Sequence, residues 1–78
     1  MKPGTEKLQM WVKTQTPKAV LVCDAASLPR RELWIPRSLI DYLRITAHPA
    51  GTLNYDAIEF TLPEWKINQA NLWDFVLG

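Results

Sequence analysis

One cysteine, one histidine and three glycines are all that 78 residues contain of those types, and each scarcity removes a class of protein. A single thiol, Cys23, cannot build an intramolecular disulfide framework, which excludes a secreted disulfide knot. One His and one Cys cannot close a zinc site, which takes four protein ligands, or three with an open position. No pair of acids has ligand spacing to make up the number, so no metal and no cofactor are expected. The glycines stand at positions 4, 51 and 78, too dispersed for a loop that cradles phosphate. The longest apolar run, Ala19–Cys23, is far short of a membrane span. No apolar stretch follows Lys2 and Lys7, so no signal peptide is expected and the expected setting is cytoplasmic.

The length excludes more. A chain of this size buries only roughly 60–65% of the surface its unfolded form exposes, so a single domain over residues 1–78 with one thin core is expected. A thiol enzyme would need Cys23, His48 and an acid as nucleophile, base and orienting group. Cys23 ends an apolar strand, where a small buried hydrophobe is the usual role, and His48 precedes Pro49 in a turn. No enzyme is expected.

What the chain has in plenty is tryptophan. Trp11, Trp34, Trp65 and Trp73 are four of eight aromatics, beside Tyr42, Tyr55, Phe60 and Phe75. Large rings fill a small core well, and they also anchor interfaces. Net charge is only +1, which argues against strong non-specific nucleic-acid binding. Its distribution is uneven. Residues 1–44 hold eight of the nine basic residues, whereas residues 45–78 hold Lys66 against Asp56, Glu59, Glu64 and Asp74. Solvated faces account for most such charge patterns, but opposite poles facing partners would produce the same one.

Along the chain, residues 1–6 read as a frayed start. From Lys7 to Lys13, Leu8, Met10 and Val12 alternate with Gln9, Trp11 and Lys13, a half-buried strand with a Trp on its wet side. A turn at Thr14–Pro17 leads into Lys18–Cys23, which reads as a central strand covered on both faces and paired with the first as a hairpin. After the loop Asp24–Arg31 comes a short strand, Glu32–Ile35, with Trp34 outward and Pro36 as its stop. Ser38–Ile45 fits a helical turn with Ser38 and Asp41 as a capping pair, running into an extended Arg44–Thr46, and it also fits a strand. Ala47–Gly51 is a turn by composition. In Tyr55–Leu62, Ile58, Phe60 and Leu62 face in and Glu59 and Thr61 out. Thr61 and Glu64 have capping-box spacing ahead of a helix that runs to Ala70, and Asn71 suits a left-handed end. The expected architecture is α+β: a small antiparallel sheet or partly open β-barrel of about four strands, with one C-terminal helix.

Three segments carry a resemblance. Thr16-Pro17-Lys18-Ala19-Val20-Leu21-Val22, Trp34-Ile35-Pro36-Arg37-Ser38-Leu39-Ile40 and Ile58-Glu59-Phe60-Thr61-Leu62-Pro63-Glu64-Trp65 are similar, in order, to segments of certain small phage and prophage proteins. The match covers about half the chain. The loop Asp24–Arg31 departs from a usual Gly-rich hairpin, Asn71 stands where a Gly is usual, and Asp41–Asn54 has no counterpart. The resemblance implies a mobile-element protein in a bacterial host cell, with no catalytic residues to carry over. Proteins of this size and origin include anti-CRISPR and other anti-defence inhibitors, an analogy that makes a CRISPR effector subunit one candidate target.

Protein binding is therefore the leading expectation. Trp11 and Trp34 fall on the outward phase of their strands, beside Arg30, Arg31 and Arg37, the composition of an interface hot spot. Asp56, Glu59 and Glu64 could meet cations of a nucleic-acid-handling target and occlude a site meant for phosphates. Trp73 and Phe75, in an apolar tail beyond the helix, are candidates for self-association as a homodimer. Trp65, at the strand-to-helix joint, is expected in the core. The alternative is single-stranded nucleic-acid binding, with Trp34 stacking bases amid Arg30, Arg31, Arg37 and Arg44, extended by Trp11 and Lys13.

Overall fold

The computed structural model describes residues 4–48 and 55–77. Their order is β1 (Thr5–Gln15), β2 (Ala19–Cys23), β3 (Glu32–Pro36), a 3₁₀ turn (Arg37–Leu39), β4 (Leu43–Ala47), β5 (Asp56–Pro63), the helix α1 (Glu64–Ala70) and a second 3₁₀ turn (Trp73–Phe75). The strands form one open antiparallel sheet in the order β3-β2-β1-β5-β4. The α+β expectation holds, with five strands instead of about four. The additional one is β4, two residues longer than the extended stretch read at Arg44–Thr46.

Two-residue alternation builds the core. Leu8, Met10 and Val12 of β1, Val20 and Val22 of β2, Ile35 of β3, and Ile58, Phe60 and Leu62 of β5 share one sheet face and are buried together. β1 is the central strand; the reading of Lys18–Cys23 as central is corrected to the interior strand next to it, between β1 and the edge strand β3. β1 holds the centre because it is long enough to pair with β5 over Thr5–Val12 and with β2 over Trp11–Gln15. Where β2 stops, the C-terminal tail continues its line: Val76 bridges Leu8, and Leu77 N–H donates to the Lys7 carbonyl at 2.8 Å.

The sheet's apolar face is closed by two crossings. The 3₁₀ turn after β3 carries Leu39 and Ile40 onto the core as the chain passes from one sheet edge to the other. On the same side, α1 and the tail add Ile67 and Leu72, both fully buried, with Ala70, Phe75 and Val76 packed around them. Asn71 ends α1 in the left-handed conformation at φ 57°, as its position suggested. Side-chain amides tolerate that region because they hydrogen-bond locally.

Several local expectations are corrected. Thr5 and Glu6 belong to β1, so the start is ordered strand from Thr5 onward. Ser38 and Asp41 do not cap the 3₁₀ turn, which follows Pro36 without a side-chain cap. The capping box is also absent, because Pro63 precedes α1 and the Thr61 hydroxyl is engaged elsewhere. It accepts the backbone N–H groups of Asp41 and Tyr42 at 3.2 and 3.1 Å. Thr61 keeps the outward phase of its strand, yet the segment before β4 folds over it and buries it. The turn read at Ala47–Gly51 lies partly outside the described residues.

Candidate functional site

One sheet face carries the core and α1, and among the described residues the other face carries no helix. On that second face lie Trp34 and Leu21, directly paired across β3 and β2, and Trp11 and Cys23, paired across β1 and β2. Leu21 is two residues from Cys23 and is thus the diagonal neighbour of Trp11. Trp34 is 49% exposed, whereas Trp11 and Leu21 are half-buried. The outward phases assigned to Trp11 and Trp34 are those the structure shows.

A break in the β1–β2 register at Lys13 shapes the rim of this face. The extra residue of a bulge lets one strand turn a side chain that strict alternation would misplace. Lys13 Nζ donates to Glu32 Oε2 at 2.6 Å and sits 5.4 Å from the centre of the Tyr55 ring. The hydrogen bond to Glu32 is the main cause that holds the Lys13 ammonium above its ordinary pKa. Farther along the same face, Arg44 pairs with Glu59 at 3.1 Å, and Lys7 lies 5.3 Å from the Tyr42 ring centre.

The four arginines expected around Trp34 are not brought together. Arg31 reaches the end of α1, donating to the carbonyls of Ala70 and Asn71 at 2.8 and 3.3 Å. A guanidinium suits that place because the last carbonyls of a helix lack backbone donors. Arg37 is held on the β1–β2 turn by the Thr16 carbonyl and by Gln15 Oε1. Arg44 belongs to β4, at the sheet edge opposite Trp34. Among the described cations only Lys18 and Arg30 have side chains without a hydrogen bond, ion pair or ring partner.

The acids are divided likewise. Asp56 pairs with His48 at 3.0 Å and Glu59 with Arg44, while Glu64 projects from α1 on the other side of the molecule. Trp65 is corrected outright: it is 57% exposed, and Ile67 is the helix residue that fills the core. Of the tail, Phe75 is part-buried and packed against its own core. Trp73 remains 43% exposed, its indole N–H donating to Asn68 Oδ1 at 2.6 Å.

The sequence reading missed Leu28. It is 92% exposed, with φ 50°, at the tip of the loop after β2. That conformation costs an L-residue about 1–2 kcal/mol, and the Leu-Pro step was the only local hint. Cys23 is fully buried and its thiol donates to the Ala25 carbonyl at 3.3 Å; burial pushes the thiol up. No group of three or more His, Cys, Asp and Glu side chains capable of holding a metal occurs among the described residues. Nor is any described helix long and apolar enough to cross a membrane.

No protein-family model matches the chain, and no curated protein and no solved structure matches it.

Proposed function

We propose that this chain is a non-enzymatic protein-binding module, acting stoichiometrically by covering a partner's surface. The observation that carries this reading is the helix-free sheet face, where half-exposed Trp34 stands beside Leu21 and Trp11. Large rings flanked by a polar rim, here the Lys13–Glu32 ion pair, make an energetic hot spot where surrounding contacts keep water from the anchor. The resemblance of three segments to phage and prophage proteins adds a setting, a bacterial host cell. It also adds a mode, inhibition of host defence machinery by occlusion, of the anti-CRISPR kind. Single-stranded nucleic acid is a poorer fit, since Arg31, Arg37 and Arg44 are committed to carbonyls and carboxylates away from Trp34.

The test is capture from a bacterial host lysate with the wild-type chain and a Trp34→Ala variant side by side. A stoichiometric protein retained by the first and lost with the second is the expected result. Retention unaffected by Trp34→Ala, or a low-salt mobility shift of single-stranded DNA abolished by it, overturns the proposal.

A further inference from the structure

The carboxylates left without a partner gather on one side. Glu6, Glu64 and Asp74 have no ion-pair or side-chain hydrogen-bond partner among the described residues. Glu6 shares the inward phase of β1 with Leu8 and Met10, the face on which α1 and the tail lie, and it pairs with Leu62 two residues before α1. Glu64 opens α1, and Asp74 sits in the tail turn. The cations on this side are Lys66 of α1, which donates to the neutral Gln69 side chain, and Arg31, held on the Ala70 and Asn71 carbonyls, so the three carboxylates outnumber them. Lys18 in the β1–β2 turn and Arg30 in the loop before β3 belong to other elements.

The same elements bear two exposed indoles. Trp65 and Asn68 are three residues apart on α1 and therefore neighbours on one helix face. Asn68 in turn fixes the Trp73 ring through its indole N–H. That bond uses the ring's polar edge and leaves the π-face available, while Trp65 is more exposed still. An indole face attracts a guanidinium or ammonium by its quadrupole, and arginine also stacks flat on it. Nearby carboxylates supply the bidentate partners that a guanidinium fork needs.

We propose that this side of the molecule, Trp65 and Trp73 with Glu6, Glu64 and Asp74, docks an arginine-rich segment of a partner protein. It is separate from the sheet face bearing Trp34, so the chain would hold two partner segments at once, one on each side. The proposal does not rest on the sheet-face reading.

The experiment is titration of the full chain with an oligoarginine peptide, followed by calorimetry and tryptophan fluorescence, with oligoglutamate of equal length as control. Oligoarginine is expected to bind and oligoglutamate not to. Trp65→Ala, and separately Glu64→Lys with Asp74→Lys, are each expected to weaken binding about tenfold or more. Trp34→Ala is expected to leave it unchanged, which separates this proposal from the sheet-face one. The altered residues are exposed, and circular dichroism checks that the variants fold. No binding at low salt, equal binding by all variants, or a dimer that is lost on Trp73→Ala overturns the proposal.

Discussion

Asp24 accepts the backbone N–H groups of Arg30 and Arg31 through one carboxylate oxygen, at 3.0 and 3.2 Å, and so ties together the ends of the loop that holds Leu28. Desolvation alone would raise its pKa, but those N–H groups and the Arg31 charge outweigh it, and the carboxyl is held below its ordinary 3.8. A depressed folded-state pKa stabilises the fold above the unfolded value, and the contribution disappears as pH falls through the folded value. Asp24→Asn keeps an acceptor but removes the titration. Its urea midpoint is expected to fall less steeply than wild type below about pH 4; parallel profiles would refute this role. The same bonds close the loop from whose tip Leu28 projects, and the Arg31 side chain extends the tie to the end of α1. None of this was legible residue by residue. Arginines near a Trp in sequence look like one cluster, whereas backbone carbonyls at a helix end and a turn claim two of them.

At the scale of the element, α1 shows why a helix in so small a protein obeys packing more than composition. Seven residues are too few to be stable alone, so one buried side chain must carry the attachment. That side chain is Ile67, completely buried among strand residues, while Trp65 lies toward solvent. A short helix on a sheet buries only one stripe, and Pro63 sets the entry so that Ile67 occupies it. Ile67→Ala is expected to cost about 2–5 kcal/mol. Trp65→Ala is expected to change stability by no more than about 0.5 kcal/mol. Chemical denaturation of both variants checks the pair, and a large loss at Trp65 would contradict the exposed placement. The tail obeys the same rule: Leu72, Phe75 and Val76 complete the core and the sheet, so of its described apolar residues Trp73 and Leu77 are left to face outward.

For the whole molecule, charge decides recognition more than stability. The described ion pairs, Lys13–Glu32, Arg44–Glu59 and His48–Asp56, all keep substantial contact with water, and such pairs contribute about 0–1 kcal/mol each. Added salt is expected to change unfolding stability by less than about 1 kcal/mol, while the affinity for oligoarginine drops markedly. Parallel melting and binding measurements across a salt series check this; a strongly salt-dependent melting midpoint would assign these pairs a structural role. The division of the chain into a basic first part and an acidic second part survives folding in altered form. Most cations of the first part are consumed by internal bonds, and the acids left over collect beside two indoles.

Much of the architecture was already determined by the sequence. Alternating apolar residues placed Leu8, Met10, Val12, Ile58, Phe60 and Leu62 on one face, because a strand's side-chain period leaves no other arrangement once water is on one side. It also determined the outward phase of Trp11 and Trp34, the hairpin, and the left-handed end at Asn71. Tertiary structure alone decided the strand order and the exposure of Trp65. It decided too the burial of Thr61, the dispersal of the arginines and the gathering of unpaired carboxylates. Those depend on which segments cross over which face, and neither period nor spacing encodes a crossing.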